Sequence, residues 1–146
     1  SSDEKLDRAR KMGATATINY RRTPAWEAAV LAATDGAGVD HVVEGIGGEN
    51  LNRALDVVRV SGSISFIGLI AGLSAPISTY RFVTKNVRLH GIETGSREMF
   101  EEMNGFIGAH GLRPVIDRTF PFASAPDALR YLESGSHFGK VIVEFE

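Results

Sequence analysis

Apolar positions recur along this chain in two periods, and their alternation predicts an ordered succession of helices and strands. Ser1 and Glu4 have capping-box spacing, and Leu6, Ala9 and Met12 follow at helical intervals until Gly13 offers a stop. Residues 14–20, with Thr15, Thr17 and Ile18, read as a short strand. Thr23-Pro24 starts a second helix, since proline in the first turn gives up only an N–H that has no helical partner. Trp26, Ala29, Val30 and Ala33 form its apolar stripe, and Asp35-Gly36-Ala37-Gly38 ends it. Val39-Asp40-His41-Val42-Val43-Glu44 is the next strand, followed at once by Gly45-Ile46-Gly47-Gly48.

A helix from about residue 49 carries Leu51, Ala54, Leu55 and Val58 on one face. Residues 59–62 turn the chain into a strand over 63–67 that ends in Gly68-Leu69, and residues 70–79 read as loop. Residues 87–92 form another strand. The helix over 97–109 has Met99, Phe100, Met103, Phe106 and Ile107 on a broad apolar face, which predicts core. Residues 115–119 are extended, Ser124 and Asp127 cap a helix bearing Ala128, Leu129 and Leu132, and Val141-Ile142-Val143 closes as a strand. Strands separated by helices imply right-handed crossovers and an open, mainly parallel α/β sheet.

Composition narrows the function classes. The chain has 146 residues with Gly 16, Pro 5 and no cysteine, which suits one globular domain without disulfides or zinc thiolates. Its net charge of −2 gives no electrostatic reason to expect nucleic acid or an anionic membrane as partner. No apolar run approaches the roughly 20 residues of a membrane helix, and the first residues are unlike a signal peptide, so a cytoplasmic location is expected.

In open α/β sheets ligands bind at the carboxyl ends of the strands. Three of the predicted strands end in glycine-containing turns, at 44–48, 67–69 and 92–97. Each could be an ordinary turn, but together they suggest a crevice where backbone approaches a flat ring or a phosphate. No two of His41, His90, His110 and His137 have metal-ligand spacing on a helix, and His41 and His90 read as structural strand residues. Asp35, Asp40, Glu44 and Glu49 form no convincing acid–base pair, so no catalytic residue and no metal ligand is assigned.

Ser1-Ser2-Asp3-Glu4-Lys5-Leu6, Met12-Gly13-Ala14 and Ile18-Asn19-Tyr20 resemble the medium-chain dehydrogenase/reductase family. So do Gly38-Val39-Asp40-His41-Val42-Val43-Glu44, residues 61–68 and 85–91, and Phe138-Gly139-Lys140-Val141, in order and over essentially the whole chain. That family includes the zinc-type alcohol dehydrogenases and the quinone oxidoreductases. The resemblance implies a Rossmann-like α/β fold, truncated, because the family's first two strands and G-x-G-x-x-G turn are absent from this sequence. Residues 1–146 are then a partial NAD(P)-binding domain without the catalytic domain that precedes it in the family. If residues 14–20 are the family's third strand, two missing strands leave a gap of about 15 Å at roughly 4.8 Å per strand before residues 39–44. The piece is then expected either to rearrange or to be completed by another chain, with residues 15–20 pairing directly with 39–44, swapping into a partner or staying disordered.

The resemblance also implies site residues. Ser2, Lys5 and Tyr20 match positions that hold the 2′-phosphate of NADP, which tilts the cofactor towards NADP over NAD, with Arg21 and Arg22 adding charge nearby. Gly45, Ile46, Gly68 and Leu69 match segments bordering the adenosine and the nicotinamide ribose. Glu93, Thr94 and Arg97 border the expected nicotinamide end, and Lys140 matches a cation that reaches the pyrophosphate. Plainer readings stand beside these: Ser2 as a helix cap, Lys5 and Lys140 as solvated charges, Arg97 as first-turn helix surface. The implied reaction of the whole enzyme is hydride transfer between a nicotinamide dinucleotide and a carbonyl, alcohol or activated alkene, with any zinc in the missing domain. The piece alone is expected to be inactive and to bind cofactor weakly. A homodimer through the 87–92 edge strand is expected as well. The rival readings are half of an S-adenosylmethionine methyltransferase and a non-catalytic α/β association module.

Overall fold

The computed structural model describes residues 2–145. The chain divides into two compact units, residues 1–94 and 95–146. Within the first unit lie helices α1 (Asp3–Lys11) and α2 (Trp26–Ala33), strand β1 (Val39–Glu44), helix α3 (Asn50–Val57), strand β2 (Val58–Phe66), helix α4 (Thr79–Thr84) and strand β3 (Arg88–Gly91). The second holds helix α5 (Arg97–Ala109), strand β4 (Ile116–Pro121), helix α6 (Ala125–Glu133) and strand β5 (Lys140–Glu144).

The parallel α/β class follows the sequence pattern, but among the described residues the strands fall into two sheets. The first has the order β1-β2-β3, all parallel, with Val42 beside Ile64 and Ile64 beside Leu89. Parallel strands bring all their carboxyl ends to one edge, where Glu44 pairs with Phe66 and Phe66 with Gly91. α3 supplies the crossover from β1 to β2 and packs Leu51, Ala54 and Leu55 against Val58, Ile64 and Val87. Its C-terminal carbonyls are held by one cation: Lys85 Nζ donates to the backbone oxygens of Leu55 and Asp56, both at 2.8 Å, and of Val58 at 3.0 Å. Burial pushes the pKa of this ammonium down from the usual lysine range.

Residues 14–20 are not a strand, contrary to the periodicity. A strand exists by its ladder, and β1 is an edge whose only partner among the described residues is β2. The segment is instead fastened at its ends, by Ala14 N–H to the Ala9 carbonyl (3.1 Å) and by Asn19 to Asp3 (2.8 Å). Of the expected remedies, direct pairing with residues 39–44 is not made: the segment runs as an irregular connection. The capping-box expectation at Ser1 falls outside the described residues, and the α1 cap is Ser2, whose Oγ accepts the Lys5 N–H at 3.3 Å. The end of the expected 70–79 loop leads into α4, whose cap is Ser78.

In the second unit β4 and β5 are parallel, joined by α6, which packs on both. Ser124 precedes α6 as expected but makes no capping hydrogen bond through its side chain; a short 3₁₀ turn over Phe122–Ser124 leads in. The expectation that Met99, Phe100, Met103 and Phe106 are core is overturned: these side chains are 58%, 57%, 48% and 57% exposed, and no residue of α5 is buried. Periodicity gives α5 an apolar face, but the second unit provides nothing to cover it.

Candidate functional site

The carboxyl edge of the first sheet is organised by Glu44, the last residue of β1, which is 2% exposed. Its carboxylate accepts the Ile46 N–H at 3.0 Å, the Gly47 N–H at 2.8 Å and the Asn50 side-chain amide at 2.7 Å. A buried carboxylate is tolerable because these three donors replace its hydration. The result is a fixed turn over residues 45–48 that leads directly into α3.

The turn after β2 locks onto it. The Ile67 and Gly68 N–H groups both donate to the Glu44 carbonyl, at 2.9 and 3.1 Å, and the Ala71 N–H donates to the Ile46 carbonyl at 2.8 Å. A Cβ on Gly68 would overlap the Gly45 carbonyl, and a Cβ on Gly47 would meet the Gly68 carbonyl, so these two backbones meet only as glycines. Gly45, Ile46, Gly68 and Leu69 therefore stand together on one rim, with Ile46 and Leu69 half exposed.

Beside the rim lies a cleft of about 560 Å³ lined by Ile18, Tyr20, Pro24, Trp26, Ile46, Asn50 and Arg53. Tyr20 and Ile46 are thus brought to one cavity. Arg53 is already engaged: its guanidinium donates to the Glu27 carboxylate and the Pro24 carbonyl and lies 4.8 Å from the Trp26 ring centroid. Its hydrogen bond to Glu27 holds that carboxyl below the usual glutamate range and raises its own pKa.

The turn carrying Tyr20, Arg21 and Arg22 is tied to the first turn of α1. Asp3 accepts from Asn19 and pairs with Arg22 at 2.7 Å, which places Ser2 and Lys5 on the helix end beside that turn. Ser2 fills the helix-cap role of the plainer reading.

A family model described as zinc-binding dehydrogenase matches residues 12–143. The chain belongs to this family. It is 38% identical to a zinc-type alcohol dehydrogenase-like protein of Schizosaccharomyces pombe, covering 100% of this chain and 43% of that relative. A second zinc-type alcohol dehydrogenase-like protein, from Leptosphaeria maculans, is 36% identical over 99% of this chain and 42% of its own length. The solved structure of a candidate alcohol dehydrogenase from Sinorhizobium meliloti 1021 superposes with a TM-score of 0.90 at 39% identity, over 99% of this chain and 42% of that one. The chain therefore spans less than half the length of these relatives, and it corresponds to the C-terminal cofactor-binding part of medium-chain dehydrogenases/reductases.

The other residues that the resemblance singles out lie within one unit or the other. Glu93 and Thr94 are exposed at the end of the first unit. In the second unit, Arg97 opens α5 with its side chain 90% exposed and donates to Glu101 at 2.7 Å, the surface role. Lys140 is exposed at the start of β5. His41 lies in β1 with Nδ1 2.7 Å from Ser63 Oγ on β2, and His90 lies in β3. Zinc does not fit the described residues: no group of three or more His, Cys, Asp or Glu side chains among them is placed to share a metal ion. Among the described residues no helix is long and apolar enough to cross a membrane.

Sequence reasoning missed the part played by Glu44 and Asn50, having weighed Glu44 only as an acid or base. The signal was present as an acidic residue ending a strand immediately before Gly45-Ile46-Gly47-Gly48, with Asn50 within reach. Trp26 and Arg53 had no such signal, because the cleft they line depends on where residues 18–26 run.

Proposed function

We propose that this chain binds a nicotinamide dinucleotide as part of an NAD(P)-dependent oxidoreductase of the alcohol dehydrogenase and quinone reductase kind. The observation that carries the reading is the double glycine rim, where Gly68 packs on the Gly45 carbonyl and Gly47 on the Gly68 carbonyl, each too closely for a side chain, and Glu44 holds both turns. Such a rim presents backbone, without bulk, at the carboxyl ends of adjacent parallel strands, which is where α/β sheets take nucleotides. The apolar walls of the neighbouring cleft (Ile18, Tyr20 and Ile46) suit a flat ring and support the fit.

In this reading the backbone of Gly45 and Gly68, with Ile46 and Leu69, borders the adenosine and a ribose. Glu93, Thr94 and Arg97 are carried as contacts near the nicotinamide, and Lys140 as a pyrophosphate contact. When bound, the dinucleotide carries the hydride, while the protein holds and orients it. Ser2, Lys5 and Tyr20, with Arg21, support NADP over NAD, since hydroxyl, ammonium and phenol donors together suit a dianion. Asp3 works against it by pairing with Arg22 at that corner. A homodimer through β3 is part of the proposal, supported by the position of β3 at a sheet edge. A cytoplasmic location accords with the cysteine-free sequence.

The test is a titration of the whole protein with NADPH and NADH, followed by nicotinamide fluorescence. Saturable binding of either supports the reading, and tighter NADPH binding that Lys5→Glu reverses supports the 2′-phosphate assignment. Failure to bind either dinucleotide rejects the proposal.

A further inference from the structure

The strand pairing of the second unit contains an irregularity that bears on Lys140. Ile116 pairs with Lys140 and Arg118 with Val141, so Asp117 is an extra residue in β4, a bulge that re-aims its side chain. The Asp117 carboxylate then spans two elements. One oxygen accepts the Tyr131 hydroxyl of α6 at 2.7 Å, and the other accepts the Phe138 N–H at 3.0 Å, in the turn before β5. On the far side of the same turn Gly139 has φ +107 and sits so close to the Val115 carbonyl that a Cβ would collide with it. The Lys140 N–H donates to that carbonyl at 2.8 Å. Tyr131 is itself braced, with its ring 5.9 Å from Phe120 and the Arg118 guanidinium 5.4 Å above it.

The backbone is thus fixed from both sides immediately before Lys140. A lysine ammonium on its flexible stem loses considerable freedom when it binds a phosphate, and anchoring the Cα lowers that cost. We propose that Asp117 and Tyr131 are positioning residues that hold Lys140 ready for the diphosphate of the dinucleotide. This inference rests on the assignment of Lys140 under the proposed function.

The test is a double-mutant cycle on the whole protein, with dissociation constants for NADPH and NADH read by nicotinamide fluorescence. Tyr131→Phe keeps the ring and removes only the hydroxyl, and it is expected to weaken binding by about fivefold, the scale of one hydrogen bond. In a Lys140→Met background the same change is expected to have no further effect, because the lysine it positions is gone. Asp117→Ala should reproduce the loss, whereas Asp117→Asn, which keeps an acceptor for the Phe138 N–H, should restore most of the affinity. This second pair also serves if Tyr131→Phe fails to fold. An equal loss from Tyr131→Phe in both backgrounds would mean a general structural role and overturn the proposal. If Lys140→Met weakens binding while Tyr131→Phe does not, the positioning idea fails and the Lys140 assignment survives. If Lys140→Met leaves binding unchanged, both fall.

Discussion

Helices α3 and α5 carry the same kind of apolar periodicity and meet opposite fates. In α3, Leu51, Ala54, Leu55 and Val57 are at most 5% exposed, because β1 and β2 lie under that face and Val87 closes it. In α5, Met99, Phe100, Met103 and Phe106 lie open, although its 13 residues make it the longer helix. The ends differ too. α3 springs from the Glu44-held turn and is closed by Lys85 on its last carbonyls, whereas α5 has a Ser96 cap and an exposed Arg97–Glu101 pair. An amphipathic pattern states which face wants to be covered; whether it is covered depends on chain that lies elsewhere.

The comparison is sharpened most by attacking the turn from which α3 starts. Gly68→Ala forces the Gly45 carbonyl aside and with it the Glu44 carbonyl bonds, and is expected to cost at least about 3 kcal/mol, beyond ordinary overpacking. A denaturant midpoint would show it, together with loss of dinucleotide binding. Next comes the buried face itself: Leu55→Ala, at a site 1% exposed, should cost about 3 kcal/mol from lost transfer energy and the residual cavity. A shift below about 1 kcal/mol in urea unfolding would mean that α3 is not the keystone its burial suggests.

The same contrast explains what the sequence could and could not disclose. Elements with local signals were legible: the 39–44 strand, the α3 stripe, and the 97–109 helix with its apolar periodicity. The Gly45–Gly48 and Gly68 turns were legible as candidates, because a glycine after a strand has a local meaning. What failed depended on partners distant in the chain. Residues 14–20 have strand composition but no ladder beside them, and α5 has a core face but no core. Glu44 shows the converse: weighed for acid–base chemistry and set aside, it is made a brace for the turn by its three donors.

A smaller effect separates the polar sides of the two helices. Arg53 of α3 reaches Glu27 of α2, with side chains 35% and 20% exposed, while the Arg97–Glu101 pair of α5 is 90% and 61% exposed. Because the Glu27 pKa is lowered in the folded state, its contribution is present above the ordinary glutamate value and fades as the pH falls below about 4.3. The loss should be about 0.5–1 kcal/mol after allowing for solvent screening. Glu27→Gln should remove it, so the mutant and parent stabilities converge as the pH drops. Parallel stability–pH curves for Glu27→Gln and the parent would show that this pair adds nothing.

The smallest expected effect is the most discriminating. Phe106→Ala in the 146-residue chain removes a side chain already 57% exposed, so the area lost on unfolding is small. Alanine is also the better helix former, by roughly half a kcal/mol, and the net change should lie within about 0.5 kcal/mol of zero. In a protein of the relatives' full length the prediction divides. If further chain covers this face, the same substitution there costs about 3 kcal/mol or more, as for a buried phenylalanine. If it stays near zero in both, α5 is an exposed helix by design and its contrast with α3 belongs to the fold itself. A loss of that size already in the 146-residue chain would instead mean that the apolar face of α5 is packed after all.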